Sequence, residues 1–450
     1  MEVILMKDKL KNSIGLKMII IGGLIITLLI PTLIIQFIIY ERENRQKNVL
    51  QEVTDKWGDR QKLTGPVLTI PVEFTKTDNY GGKQIYTRYI YLLPDSLVYN
   101  GEIQPEIRYR SIFEILLYSF QANISGNFNL SHLQDLDLKN GIIQYNQAVV
   151  EFGISDMKGV NDKVMFRWNG NSSEVQPGIK NCTTLIQGFH MKSPLHPNIE
   201  HYNFNCDLGL NGNTELSFTP LGKETFAQVR APWQHPSFVG DYLPKTREID
   251  ERGFESEWKV LHLNRNIPQV SYNRELTLDN TYFGVQLILP VDQYQKTMRT
   301  VKYAIMFIGL TFLAFFLIEI LNGKLLHPIQ YLLVGSALVL FYILLLSLSE
   351  HLSFPIAYSL ASISLILLIS LYSKAILQDT RFMIIISAVL TVLYGFLYID
   401  LQLEDYALLL GSIGLFSVLA TVMYLTRHLN WYTLLPKEKR DTSSLEKVSG

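Results

Sequence analysis

Long apolar runs at the two ends of the chain enclose a polar middle. The first run, 18–40, has no charged residue and is long enough to cross the ~30 Å hydrocarbon core of a bilayer as a helix. Five further runs of similar length follow the polar middle, at 303–321, 329–349, 354–372, 382–399 and 406–426. Because the loops between them are short, these runs have no polar face to turn to water, and they predict a membrane bundle rather than a buried soluble core.

The first run is predicted to remain in the mature protein as a membrane anchor. A cleavable signal peptide, the alternative, has an apolar segment of ~7–15 residues that ends at a small-residue cleavage site. The run at 18–40 is longer than that and ends in Phe37, Ile38, Ile39 and Tyr40.

The distribution of lysine and arginine predicts the orientation of the helices. The two termini and the short loops that lie on the same side as the termini are rich in basic residues, which include Lys7, Lys9, Lys11, Lys17, Lys324, Lys374, Arg381 and Arg427. The opposite short loops, 350–353 and 400–405, contain no lysine or arginine. We therefore predict cytoplasmic termini at 1–17 and 429–450 and a domain at 41–300 on the outer side.

The polar middle has the pattern of short β-strands. Apolar residues alternate with polar ones over 204–210, Asn211-Gly212 is a frequent hairpin-turn dipeptide, and the alternation resumes over 216–218. Further strands are predicted at 67–74, 84–93, 142–152, 164–168 and 285–289, and a short helix at 111–120. Glycine, proline and asparagine between the strands indicate a sandwich or two packed sheets.

The predicted fold class is thus a membrane protein with one N-terminal transmembrane helix, a large extracytoplasmic all-β or mainly β domain and a C-terminal bundle of five helices at 301–428. Charged residues are 18% of the chain, below the ~25% of soluble proteins. A net charge of −1 gives no sign of a nucleic-acid partner. No phosphate-binding glycine motif and no cofactor signature is present.

A polar cluster is predicted at the outer rim of the bundle. Its members are Ser349, Glu350, His351, Asp400, Glu404 and Asp405. Carboxylates with imidazole suit a cation, and serine, histidine and an acid suit nucleophilic catalysis. The favoured interpretation is polar residues that end helices at the interface, and we assign no catalytic, cofactor-binding or metal-binding residue.

Three other features are candidates for a role beyond packing. Glu319 is the acid inside a predicted span, near its inner end, where it can reach water or pair with Lys324. Cys182 and Cys206 either form a disulfide in the outer domain or stay as separate buried thiols. The third feature is an aromatic segment that contains Trp233, His235, Pro236, Phe238 and Tyr242. Three interpretations of it are open: a packed loop, the lip of a binding surface, or a contact with the membrane interface.

Short motifs along almost the whole chain resemble the CreD family of bacterial inner-membrane proteins, also called cell envelope integrity proteins. The matching segments are 299–304 (RTVKYA), 310–319 (LTFLAFFLIE), 327–335 (HPIQYLLVG), 340–351 (LFYILLLSLSEH), 404–409 (EDYALL), Trp431-Tyr432, 65–68 (GPVL), 110–113 (RSIF), 236–238 (PSF) and 265–269 (RNIPQ). The resemblance implies a multi-pass inner-membrane location with a periplasmic domain at 41–300, and a role in envelope integrity, with tolerance of colicins or β-lactams in some members. It supplies no catalytic residues.

The favoured functional hypothesis is a non-enzymatic inner-membrane protein whose periplasmic β domain binds an envelope component. A transporter or lipid-handling protein that uses the helical bundle is the alternative, and a membrane hydrolase with Ser349 or His351 is the third. The expected partners are the lipid bilayer and envelope proteins, lipid or glycan. The sequence leaves the oligomeric state open.

Overall fold

The computed structural model describes residues 14–77, 83–134, 136–272, 276, 278, 281–289, 293–322, 326–403 and 406–427. The chain divides into two compact units. The helical unit consists of Met1–Arg45 and Asp292–Gly450, and the β unit is Gln46–Val291.

Seven α-helices lie in the described residues, and all but the second are long and apolar enough to cross a membrane. They are α1 Ile14–Trp57, α2 Gln293–Lys302, α3 Ala304–Asn322, α4 Pro328–Ser349, α5 Phe354–Leu377, α6 Thr380–Gln402 and α7 Ala407–Thr426. The predicted fold class, with one apolar helix before a β region and five after it, is confirmed.

Helix α1 extends well beyond the predicted span. Its apolar part buries Leu28, Thr32, Ile35 and Ile39, which share one face at helical spacing. Its polar continuation belongs to the β unit, where the Trp57 ring lies 4.0 Å from the Arg108 guanidinium. This contact fixes the end of the helix to a distant part of the β unit.

Helices α3 to α6 form a ring in which each helix packs on the next and α6 packs back on α3. Phe341 of α4 and Tyr394 of α6 meet across the interior, with ring centroids 4.8 Å apart. Helix α7 packs on α6 but has no buried residue. The short helix α2 packs on α4 and α6 through Tyr294, Thr297, Thr300 and Val301.

The strands of the β unit, in chain order, are β1 Gln61–Thr77, β2 Lys83–Leu92, β3 Ser96–Arg110, β4 Phe113–Asn129, β5 Ile142–Ile143, β6 Val149–Ile154, β7 Met165–Trp168, β8 Asn171–Ser173, β9 Val175–Pro177, β10 Gly188–Lys192, β11 His201–Asn213, β12 Glu215–Phe218, β13 Glu224–Ala231, β14 Pro236–Gly240, β15 Thr246–Asp250, β16 Gly253–Leu261, β17 Val270–Tyr272 and β18 Phe283–Leu287. They form two sheets. The first has the order β14-β18-β12-β1-β6-β10-β9, with β2 and β5 also paired to β1 and β17 paired to β2. The second has the order β15-β16-β13-β3-β4-β11-β7-β8.

Aromatic side chains fill the space between the two sheets. Tyr99 of the second sheet lies 4.8 Å from Phe218 of the first, and Trp258 lies 5.6 Å from Phe283, between ring centroids. Each of these rings is buried, and burial of such a side chain contributes ~1.5–3 kcal/mol. The β unit is therefore a sandwich held by one apolar core.

Two local predictions are wrong. The predicted helix at 111–120 is a two-residue turn followed by the start of β4, which pairs with the whole of β3 from Arg110 opposite Phe113. The predicted hairpin at Asn211-Gly212 is part of β11, and β12 belongs to the other sheet, where it runs parallel to β1. The chain changes sheets at Thr214, which has a φ of 44°.

Packing, not a turn, explains the glycine of that dipeptide. A Cβ at Gly212 would lie 2.5 Å from the hydroxyl oxygen of Tyr118 on the neighbouring strand. That hydroxyl donates a 2.7 Å hydrogen bond to the Glu215 carbonyl, so the tyrosine has a fixed position.

The two cysteines are free and buried in separate parts of the β unit. Cys206 lies in β11, opposite Ile124 and Phe166 of the second sheet. Cys182 follows β9, in a loop whose Lys180 amide is bound by the Glu151 carboxylate of the first sheet at 2.7 Å. The structure thus has separate thiols and not the disulfide. Burial raises the pKa of Cys182 to about 11 and that of Cys206 to about 12.

Candidate functional site

A buried ion pair joins α1 to α3 at one end of the helical unit. Lys17 pairs with Glu319, whose side chain is only 4% exposed. The carboxylate also accepts hydrogen bonds from the Tyr331 hydroxyl at 3.0 Å and the Leu326 amide at 3.2 Å. The sequence proposed Lys324 as the partner, but that residue lies outside the described ones.

A second ion pair joins α1 to α4 at the opposite end. The Arg42 guanidinium lies 3.6 Å from the Glu350 carboxylate, which also accepts a 3.4 Å hydrogen bond from the Tyr294 hydroxyl of α2. At ~1.5 Å per residue, Arg42 lies ~38 Å along the helix from Lys17. Since the hydrocarbon core is ~30 Å thick, the two pairs are far enough apart along the helix to lie on opposite sides of that core.

Asp400, in the last turn of α6, is almost completely buried. Its side chain is 3% exposed, and its Oδ1 atom has no hydrogen-bond partner in the part of the chain that the structure describes. The Tyr303 hydroxyl lies beside this carboxylate and beside the Arg299 side chain. The carboxylate therefore faces the end of α2 and the residue that follows it.

The remaining members of the predicted outer-rim cluster are not joined into a catalytic set. Ser349 donates a 2.9 Å hydrogen bond to the Leu346 carbonyl, while His351 is exposed, and no hydrogen bond connects these two described residues. Glu404 and Asp405 lie outside the described residues. Within the described ranges, no group of three histidine, cysteine or acidic side chains is arranged to hold a metal ion.

Three tyrosines converge inside the ring of α3 to α6, and the sequence reasoning did not single them out. Tyr342, Tyr358 and Tyr394 surround Phe341, with centroid distances of 5.1, 5.9 and 4.8 Å. Tyr358 donates a 2.7 Å hydrogen bond to the Tyr394 carbonyl. The hydroxyls of Tyr342 and Tyr394 are buried without a partner among the described residues, which costs ~1–3 kcal/mol each. The sequence could have indicated this cluster, because each of the three is a polar tyrosine within an apolar run.

A charged groove of about 550 Å³ lies on the second sheet of the β unit. Side chains of both signs line it, among them Glu102, Arg230, Glu248, Asp250 and Arg252. The Arg230 guanidinium lies 2.7 Å from the Glu102 carboxylate, so part of this charge is paired across neighbouring strands.

An adjoining hollow of about 400 Å³ shares Pro232 with the groove and is lined by Trp233 and His235. The Trp233 indole donates a 3.2 Å hydrogen bond to the Ile288 carbonyl, which fixes its ring. Other members of the aromatic segment pack inward, since Phe238 lies 5.7 Å from Trp258 between ring centroids. The first residues of the segment thus reach the surface and the later ones anchor it.

The described residues contain six membrane-length apolar helices, and a β region of two sheets lies between the first and the second of them in the chain. This layout defines the class as a polytopic membrane protein. The model of the family "Inner membrane protein CreD" matches residues 13–432. The inner membrane protein CreD of Escherichia coli (strain K12) is 33% identical over 437 residues, which is 96% of each chain. The chain belongs to the CreD family of inner membrane proteins.

Similarity to solved structures is weak. An M1 zinc metallopeptidase of Deinococcus radiodurans has a TM-score of 0.20 and 9% identity, over 43% of this chain and 42% of that one. Yeast LTA4 hydrolase has a TM-score of 0.18 and 10% identity, over 53% of this chain and 36% of that one. At such TM-scores neither similarity carries an argument about fold or chemistry.

Proposed function

We propose that this CreD-family protein contributes to cell envelope integrity without catalysing a reaction. In this proposal its termini are cytoplasmic, its β unit is periplasmic, and the charged groove with the adjoining Trp233 hollow binds a glycan of the envelope. Lys17 and Arg381 lie at the helix ends assigned to the cytoplasm, in agreement with the usual excess of basic residues on that side.

The main support for the proposal is the charged lining of the groove. Carboxylates accept hydrogen bonds from sugar hydroxyls, and guanidinium groups donate to sugar oxygens, so a lining of both signs suits a polyhydroxylated ligand. The fixed indole of Trp233 adds an apolar face on which a sugar ring can pack.

Co-sedimentation of the full chain, in detergent micelles, with isolated peptidoglycan sacculi tests this function. The Glu248→Gln/Asp250→Asn double variant and Trp233→Ala are each expected to lower the sedimented fraction at least fivefold. Glu174→Gln is the matched control, because Glu174 is exposed in the β unit and does not line the groove. Equal binding by wild type and both groove variants, or no binding by wild type, would contradict the proposal.

Transport or lipid handling by the helical bundle is a second candidate, favoured by buried polar atoms inside it that have no partner among the described residues. In complementation of a strain that lacks the protein, Tyr342→Phe, Tyr394→Phe and Asp400→Asn would each lower envelope-stress tolerance. Full tolerance in all three variants would argue against this candidate. The hydrolase alternative has no support from the geometry of the described residues, because no hydrogen bond joins the Ser349 hydroxyl to His351 and that hydroxyl donates to the Leu346 carbonyl.

A further inference from the structure

Helix α7 packs on α6, and Gly414 marks a close approach between the two helices. The connection between α6 and α7 is short, so the two helices are antiparallel neighbours. A Cβ at Gly414 would lie 2.6 Å from the Phe396 ring, and the glycine therefore permits a close approach there. No residue of α7 is buried in the described structure, and an open space remains beside its second half.

That space is an apolar groove of about 460 Å³ between α3, α6 and α7. Its walls include Leu313 and Ala314 of α3, Ala388 and Val392 of α6, and Val418 and Leu425 of α7.

The two polar residues in the groove wall are already satisfied. Ser417 donates a 2.8 Å hydrogen bond to the Ile413 carbonyl, and Thr421 donates one of the same length to the Ser417 carbonyl. The groove therefore offers its occupant only apolar contacts.

Basic residues flank the end of the groove at which α6 begins and α7 ends. Arg381 lies in the first turn of α6 and is exposed. Arg427 follows α7, with its guanidinium 3.9 Å from the Tyr424 ring centroid. Tyrosine and arginine at a helix end are typical of the interface between bilayer and water, where cationic side chains attract lipid phosphates.

We propose that the groove binds an acyl chain of a membrane phospholipid whose phosphate lies by Arg381 and Arg427. The volume of about 460 Å³ lies in the ~300–1,000 Å³ range of small-ligand sites. The basic end complements the lipid phosphate, and the apolar walls complement its chain.

Native mass spectrometry of the full chain, extracted in mild detergent, counts the retained phospholipid. Ala388→Trp fills the groove and is expected to lower retention at least fivefold, while Ala420→Trp, on an exposed part of α7 outside the groove, leaves it unchanged. Arg381→Gln/Arg427→Gln is expected to lower retention of anionic phospholipid by about fivefold or more. Unchanged retention in Ala388→Trp, or loss of a dimer instead of a lipid, overturns the proposal.

A second measurement does not depend on the folding of any variant. A phospholipid with a photoreactive group in its acyl chain is added to the wild-type chain and activated by light. The expected adducts concentrate on the groove-facing parts of α3, α6 and α7. Adducts spread evenly over all apolar helices would show that the groove has no preference for an acyl chain.

Discussion

Replacing Lys17 by methionine removes the positive partner of Glu319 while it keeps an apolar side chain of similar length. The carboxylate of Glu319 then retains its two hydrogen bonds, from Tyr331 and the Leu326 amide, but not its countercharge. A buried charge without its partner is far less stable than the intact pair, because the desolvation cost remains and the attraction is lost.

The structure sets the expected size of the effect. Breaking a buried pair on one side costs ~3–5 kcal/mol, and the 17% exposure of Lys17 places this case near the lower limit, at ~3 kcal/mol. The Arg42–Glu350 pair is the internal comparison, because Arg42 is 42% exposed. An exposed pair contributes ~0–1 kcal/mol, so Arg42→Met is expected to cost about a third as much or less.

The assay is unfolding of the purified full chain in detergent by added SDS, followed by far-ultraviolet circular dichroism of the helices. Lys17→Met should shift the midpoint far more than Arg42→Met. The Lys17→Met/Glu319→Gln double variant should return to within ~1 kcal/mol of wild type, since it leaves no unpaired charge. Equal midpoints for the two single variants, or a double variant as unstable as Lys17→Met, would refute the reasoning.

Three further outcomes follow from particular contacts. Tyr331→Phe should destabilise the helices by ~1.5–3 kcal/mol in the same SDS titration, because it removes one hydrogen bond to the buried, charged carboxylate. Cys182 and Cys206 should not react with a maleimide at neutral pH until the protein is denatured, because burial and pKa values of about 11 and about 12 keep both as thiols; labelling of the folded chain would contradict this. Gly212→Ala should lower the melting temperature of the β unit by an amount worth ~1–3 kcal/mol, because its methyl group meets a fixed tyrosine hydroxyl; an unchanged melting temperature would contradict this.

The helices were predictable because each apolar run carries its own signal. A helix over a run such as 329–349 forms its backbone hydrogen bonds within the segment, so the run can be recognised without knowledge of any other segment. The structure has α4 there, from Pro328 to Ser349. The second half of α1 was not predictable in this way, because its contact with Arg108 comes from a distant strand.

The strands were predictable as local patterns, but their partners were not. The alternation over 204–210 indicates a strand, whereas nothing local shows that the next strand joins the other sheet. In the same way, 111–120 has residues compatible with a helix, and its pairing with β3 decides the outcome.

For the candidate sites, the sequence identified charged groups but not their neighbours. Glu319 stood out as an acid in an apolar run, yet its partner Lys17 is far away in the sequence. The sequence grouped Asp400 and Glu350 because both were expected at the same depth in the membrane. In the structure Glu350 forms an ion pair with Arg42, and one carboxylate oxygen of Asp400 has no partner among the described residues. Such pairings depend on which helices are adjacent, and apolar periodicity does not encode that.

Sidedness of the β unit is the central claim, and a single introduced thiol measures it directly. Glu174 is exposed in the β unit, and both native cysteines are buried, so Glu174→Cys supplies the reactive thiol of the folded chain. In spheroplasts, a maleimide that does not cross the inner membrane should label Glu174→Cys, whereas Lys439→Cys, in the tail, should be labelled only after lysis. Labelling of position 439 in intact spheroplasts, with Glu174→Cys protected until lysis, would place the β unit in the cytoplasm and contradict the account.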